Sequence, residues 1–407
     1  MRILVISERL PSILGGGSSR QYNLIKELSI DHEFTVISHA FPEDRAFEEH
    51  LLPYVRQIEI VDLPLPVPQQ RSKFYWRLNA WMHALFDSHP IRGQQFQTQG
   101  ICQGIRSILH VSQFDIIQIH QAYLSHLVPT LKIPKVLDMH DILSEFHHQT
   151  QISNRKFTHR FQAWLEWKKF RSMERRAVSQ TDLCLTVSEP DRESLLRIIP
   201  NAPVTVIPNG VDTNYFHPQP SYIDETNLLF TGSMNYEPNS NGVRWFYKTI
   251  FPRIRHSFPK IHFNIVGWNP PPDILELNRD KNVTVTGYVD DIRPYLAKST
   301  VVVVPLQIGS GTRLKILDAW AMGKAVVSTS IGAKGLKAIH CENLLLADTP
   351  EEFAQSITEL LTDADKRCNL GIRARQTVED EYTWRDIARK LNDAYELLMT
   401  PPIGRHA

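Results

Sequence analysis

No two cysteines of this 407-residue chain stand at C-x-x-C spacing. The four, Cys102, Cys184, Cys341 and Cys368, lie far apart, which argues against a zinc site or a redox dithiol and reads as reduced, mostly packed thiols. No window reaches the roughly 18 uninterrupted apolar residues of a membrane span. Met1 to Glu8 shows neither the basic nor the apolar region of a secretion signal, so the default compartment is the cytosol. Charge of one sign is missing too. With 45 Lys+Arg against 44 Asp+Glu, nothing pulls the whole molecule toward nucleic acid or anionic membrane, and any such pull must be local. Gly15-Gly16-Gly17 does not match G-x-G-x-x-G, which makes nicotinamide binding a poor reading. No D-x-D stands at a strand end, because Asp363-Ala364-Asp365 lies in a polar turn between late helices.

What is present is ordinary globular material, 42% apolar and 22% charged, in a length that exceeds what one core usually serves. Arg2–Ser7 is a short, nearly continuous apolar run, the pattern of a parallel strand covered on both faces. The glycine loop Leu14–Gly17 follows, then a helix to Leu28 that Ser18 or Ser19 can cap, then a strand over Glu33–Ser38. Similar strands recur at Asp115–His120, Lys135–His140 and Asp182–Ser188 with helical stretches between, which implies a doubly wound α/β domain. At Val204–Asp212 an apolar strand meets a Pro-Asn-Gly turn, and polar, proline-bearing sequence follows; this is the expected junction. The alternation restarts at Asn227–Gly232, Ile261–Gly267, Val283–Gly287, Val301–Pro305 and Ala325–Thr329. Each of these ends in a small or turn-forming residue, at the sheet edge where open α/β sheets bind ligands.

Several residues at those edges carry chemistry. Gly309-Ser310-Gly311-Thr312 sits between a strand and a helix with Leu314, Leu317 and Ala321 on its apolar face. Amides at such a helix start favour anions, and glycines let a phosphate come close; the plain alternative is a flexible loop with Thr312 as cap. Asp318 lies three residues after Lys315 on the same face, so an exposed ion pair is one reading. His120 ends a strand, where a hydrogen-bonded rim or core histidine is as reasonable as a ligand-binding one. Asp138, His140, Asp141, His147 and His148 include metal-ligand types without a recognised metal spacing, and no metal is assigned.

Taken together, Val187-Ser188-Glu189, Ile207-Pro208-Asn209-Gly210-Val211-Asp212 with Phe216, Gly287-Tyr288-Val289-Asp290-Asp291, and the run Gly309 to Val327 resemble family 4 of the retaining glycosyltransferases, glycosyl transferases group 1. The resemblance implies the GT-B fold: two facing Rossmann-like doubly wound domains with a C-terminal helix crossing back to the first. Residues 1–207 would form the acceptor domain with helix 383–400, and 208–382 the nucleotide-sugar donor domain. No bound cofactor is expected, since the nucleotide-diphosphate sugar is itself the substrate, and the acceptor is a glycan, a lipid-linked glycan or a small molecule. By the same resemblance the loop with Gly16 and Gly17 approaches the donor diphosphate and the acceptor. His120 positions the sugar and is not a general base, and Asp318 accepts from the ribose hydroxyls. Gly309, Ser310, Gly311, Thr312, Arg313 and Lys315 line the donor site.

The chain departs from the family pattern in two places. The two usual glutamates, eight positions apart, are replaced by Ser310 and Asp318. The usual Gly-Arg and following lysine after the first strand of the second domain are absent: Gly232 is followed by Ser233, with Glu237, Pro238 and Asn239 nearby. Ser233 and Asn239 therefore stand where the diphosphate grip would be, with Arg313 and Lys315 as the nearest cations. An epimerase acting on a nucleotide sugar without any acceptor, and a non-catalytic GT-B scaffold, are the alternatives. The stretch 155–176 mixes Lys and Arg with Phe157, Phe161, Trp164, Trp167 and Phe170. It reads equally as a peripheral dock on anionic lipid at the inner membrane face or as a helix with its aromatics packed inward.

Overall fold

The computed structural model describes the chain apart from residues 14–15, 41, 63–89, 91–98, 154–156, 220–225, 310 and 401–407. It divides into two compact units, Met1–Pro208 with Trp384–Ala407, and Asn209–Thr383.

The first unit is built on a seven-stranded sheet of order β3-β2-β1-β4-β5-β6-β7, parallel throughout. Its strands are β1 (Arg2–Ser7), β2 (Glu33–Ala40), β3 (Gln57–Asp62), β4 (Ile116–His120), β5 (Lys135–Met139), β6 (Leu183–Thr186) and β7 (Val204–Val206). Alternate residues serve opposite faces. Ile3 and Val5 join Ile116 and Val136 on one face, Leu4 and Ile6 join Ile117 and Leu137 on the other, so both faces are apolar and the strands read as unbroken runs. The first face is covered by the helix Gly17–Leu28 and by the last helix, Trp384–Met399, which buries Trp384, Ile387, Leu391 and Tyr395. The returning helix is therefore part of the first unit.

The second unit carries six parallel strands in the order β10-β9-β8-β11-β12-β13. They are β8 (Asn227–Thr231), β9 (His262–Val266), β10 (Val283–Gly287), β11 (Val301–Val304), β12 (Val326–Ser328) and β13 (Leu345–Leu346). In each unit strand order reverses once, between β1 and β4 and between β8 and β11. At such a point the flanking loops diverge to opposite faces and leave room for a ligand at the carboxyl ends.

Several expectations need correction. The first helix begins at Gly17, with Gly16 as its N-cap at φ 73° and no side-chain cap bond; Ser18 and Ser19 already lie inside it. Only Cys184 is buried, while Cys341 and Cys368 are exposed. Asp363 lies between two late helices as expected and caps the second, its carboxylate accepting from Lys366 N at 2.8 Å, whereas Ala364 and Asp365 already belong to that helix. Residues 155 and 156 lie outside the described residues, but Phe157–Ser179 is one helix. Of its five aromatics only Phe170 is buried; Phe157 is 79% exposed, and Lys168 lies over the rings of Trp164 and Trp167. No described helix is long and apolar enough to cross a membrane.

Candidate functional site

In the second unit the carboxyl ends of β8 and β11 meet at the point of reversal. After β8 the chain turns at Gly232 (φ 142°), and a Cβ there would lie 2.7 Å from Lys315 Nζ and 2.8 Å from Asn239 Nδ2. A side chain would displace both, so glycine is required for the close approach. Lys315, second in the helix Leu314–Ala321, donates to Asn239 Oδ1 at 2.8 Å, and its ammonium sits 4.0 Å from the centre of the Phe230 ring. Asn239 in turn donates to the carbonyl of Ser233 at 2.8 Å. Lys315, Asn239 and Ser233 thus form one polar group where a lysine following Gly232 is missing.

Asp318 follows one turn later. Burial lifts its carboxyl to about 7, against the opposing pull of Lys315, and among the described residues none hydrogen-bonds it. Burial, then Arg313, holds the Lys315 ammonium well below the ordinary lysine range. Arg313 is the last non-helical residue before Leu314, extended and buried, with its guanidinium folded back on Gly309 and toward the carbonyl of Gly311 at 3.4 Å. The two cations diverge, Arg313 into the loop and Lys315 across to Asn239. Asn209 donates to Thr312 Oγ1 at 2.7 Å, so the Pro-Asn-Gly turn secures the loop after β11. The buried helix stripe is Ile316, Leu317, Ala319, Trp320 and Ala321, wider than the face expected from the sequence. Ser310, like Leu14 and Gly15, lies outside the described residues.

In the first unit β1 and β4 end beside the glycine loop. A Cβ on Gly17 would lie 2.3 Å from His140 Nδ1, so glycine here makes room for an imidazole. His120 lies deeper than His140. It is 1% exposed, with Nδ1 at 3.0 Å from His140 Nε2 and Nε2 at 3.1 Å from Gln118 Nε2. Burial lowers its pKa to about 3. Both its nitrogens face other side chains, and the histidine beside the glycine loop is His140. That placement follows from β4 and β5 being neighbours, which spacing along the chain does not report.

Asp138 lies beneath both rings, its Oδ2 at 3.7 Å from His120 Nδ1 and 3.9 Å from His140 Nε2. Arg20 Nε donates to the same oxygen at 3.1 Å, and Arg20 Nη1 to the carbonyl of Pro208 at 2.7 Å. Burial would raise the Asp138 carboxyl, but Arg20, then His140 and His120, outweigh it and hold it low. His120, Asp138 and His140 offer three ligand-type atoms within 4.8 Å of one another. The imidazole nitrogens face each other and Arg20 pairs with one carboxylate oxygen, while Asp138 Oδ1 is buried with no hydrogen-bond partner among the described residues. His147 stacks on Phe170 and His148 lies beside Trp167, both away from this group.

Comparison with known proteins gives the family and the fold. The model of Glycosyltransferase Family 4 matches residues 14–215, and that of Glycosyl transferases group 1 matches 225–363. A GDP-mannose-dependent alpha-(1-6)-phosphatidylinositol monomannoside mannosyltransferase of Mycobacterium tuberculosis is 27% identical over 247 residues, 55% of this chain and 64% of that protein. The gpi3 subunit of the phosphatidylinositol N-acetylglucosaminyltransferase of Schizosaccharomyces pombe is 27% identical over 233 residues, 54% of this chain and 49% of its own length. The chain thus spans about half the length of the curated relatives it matches first. Among solved structures, sucrose-phosphate synthase from Thermosynechococcus elongatus superposes with a TM-score of 0.72 at 17% identity, covering 98% of each chain. Anabaena HepE in complex with UDP-glucose gives 0.68 at 16%, covering 98% of this chain and all of the other.

Proposed function

The chain belongs to the GT-B glycosyltransferases of family 4, and from that premise we propose that it transfers a hexose, with retention, from a nucleoside-diphosphate sugar to a glycan or lipid-linked acceptor. The observation that carries this is the polar group at the reversal point of the second unit: Lys315 on Asn239 and Ser233 beside Gly232, with Asp318 one turn on. Lys315 and the amides of the Gly309–Arg313 loop take the diphosphate, and Asp318 accepts from the ribose hydroxyls. The first unit holds the acceptor, and His140, not His120, contacts the transferred sugar. The bond from the anomeric carbon to the phosphate oxygen breaks as the acceptor oxygen bonds on the same face, and the leaving phosphate takes the acceptor proton. The scheme uses no metal: backbone amides and Lys315 supply the counter-charge, a bound diphosphate favouring the charged lysine that burial opposes.

The M. tuberculosis relative is named for a phosphatidylinositol mannoside acceptor and HepE was solved with UDP-glucose. Both support a nucleotide-sugar donor, and the first supports a lipid-linked acceptor. The exposed Phe157 and the cations over Trp164 and Trp167 support peripheral contact of the helix Phe157–Ser179 with the inner membrane face of a cytosolic protein.

Thermal unfolding with a panel of UDP- and GDP-sugars tests the donor, since a ligand at a hundred times its Kd stabilises by about 2.7 kcal/mol. One nucleotide series should raise the melting temperature, and transfer to acceptor should survive EDTA. No stabilisation by any nucleotide would mark a non-catalytic scaffold. Conversion of the sugar without an acceptor would mark an epimerase, and strict dependence on added manganese would remove the metal-free scheme.

A further inference from the structure

A chain of buried polar contacts runs from the last helix to the glycine loop within the first unit. The Tyr395 hydroxyl donates to Gln118 Oε1, Gln118 Nε2 meets His120 Nε2 at 3.1 Å, and His120 Nδ1 meets His140 Nε2 at 3.0 Å. His140 Nδ1 then faces the position where a Gly17 side chain would be. We propose that Tyr395, Gln118 and His120 are positioning residues whose one-way hydrogen-bond relay fixes His140 as an Nδ1–H donor at the glycine loop.

The direction follows from which groups can accept. Burial, with Asp138 adding to it, pushes the Tyr395 hydroxyl far above the ordinary tyrosine range, so it keeps its proton and donates. The Gln118 oxygen is thereby committed, and its amide nitrogen turns to His120. An amide nitrogen donates only, so His120 Nε2 accepts. A neutral imidazole has one N–H, and burial keeps His120 neutral, so its proton is on Nδ1. The carboxylate of Asp138, 3.7 Å away and held ionised by Arg20, favours a proton there. His140 Nε2 must then accept, and the His140 proton is on Nδ1. Around the two rings stand Gln118 from β4, Asp138 from β5 and Arg20 from the first helix, and Tyr395 of the last helix acts through Gln118. Protonating His140 would set two N–H groups against each other at 3.0 Å.

The relay stands on the first unit alone; only its effect on transfer rests on the function proposed above. Histidine 15N-labelled full-length protein, studied without substrate by long-range proton–nitrogen correlation near neutral pH, should show His120 and His140 both as Nδ1–H tautomers, assigned with His120→Gln and His140→Gln. Gln118→Glu offers only acceptors to His120, so both rings should invert to Nε2–H. Tyr395→Phe releases the Gln118 amide and should give mixed tautomers, a second route if the glutamate variant does not fold. In Gln118→Glu, kcat/KM for transfer should fall roughly tenfold or more, the size of one lost hydrogen bond, with nucleoside-diphosphate affinity unchanged. His140 found as Nε2–H in the unmodified protein, or tautomers unmoved in both variants, overturns the relay. Inversion with undiminished transfer upholds the relay and removes the sugar-contacting role of His140 instead.

Discussion

Asp318 and Lys315 show how much of a side chain's behaviour its surroundings set. Three residues apart on a helix they read as an exposed ion pair, yet burial raises one and lowers the other. If Asp318 accepts from the ribose, Asp318→Ala should weaken nucleoside binding by about 1–3 kcal/mol, the cost of leaving hydroxyl partners unmet, with little change in melting temperature. The carboxylate is the better acceptor and forms only as pH rises through about 7. Nucleoside affinity should therefore increase between pH 6 and 8 in the unmodified protein and stay flat in Asp318→Asn, read by calorimetry across that range. Unchanged affinity with lowered stability would make the carboxylate structural. Lys315→Ala should cost roughly tenfold in nucleoside-diphosphate affinity and nothing for the nucleoside, as expected for one charged hydrogen bond to phosphate. Arg313→Ala should lose less for the diphosphate, because its guanidinium is turned into the loop. Equal loss for both ligands in the lysine variant would place the phosphates elsewhere. The identities of Arg313, Lys315 and Asp318 were legible from their motif. Asn239 was placed in the same site, but its bond to Lys315 and the Phe230 ring beside the ammonium were not legible, because they arrive on a different helix and strand.

Among the elements, the central strands and two of the edge strands, β7 and β10, were legible, while the edge strands β3 and β13 were not. β1, β4 and β5 are buried along nearly their whole length and read as apolar runs. β3 at one edge carries Gln57, Glu59 and Asp62 and is only half covered, and β13 has two residues; neither holds enough apolar period to be seen. Helix packing hides a further group. Glu174, in the helix Phe157–Ser179, is buried and accepts from the Ser144 amide at 3.1 Å and from its hydroxyl at 2.5 Å, in the helix Leu143–Ser153. Burial raises its carboxyl from 4.5 to about 7. A raised carboxyl stabilises the fold fully below the unfolded value, and that contribution is lost as pH rises from about 4.5 through about 7. Glu174→Gln mimics the protonated acid, so it should gain about 2–3 kcal/mol over the unmodified protein above pH 7 and nothing at pH 4, measured by denaturant unfolding at both. A difference independent of pH would mean that Glu174 is ionised in the fold.

At the scale of the molecule, the near balance of 45 basic and 44 acidic residues means that any attraction to a lipid surface is local, and the region proposed for it among the described residues is the helix Phe157–Ser179. Flotation should recover the protein with vesicles of anionic phospholipid and not with zwitterionic ones, and 0.5 M salt, where screening acts within roughly 4–5 Å, should release it. Replacing Lys168 and Arg171 by glutamate should abolish recovery while leaving nucleotide-induced thermal stabilisation intact; undiminished flotation would assign the contact to another surface. The alternation of strands and helices, the Pro-Asn-Gly junction and the amphipathic last helix were set by local pattern: hydrophobic period and turn chemistry act over a few residues, and the sequence alone determined them. Which side chains meet was decided only by the tertiary structure. Tyr395 reaches Gln118 across 277 residues, and Lys315 reaches Asn239 across 76. Those meetings depend on β1 lying beside β4 and β8 beside β11, an order imposed by right-handed crossovers and the burial of whole sheet faces, and no local period encodes it.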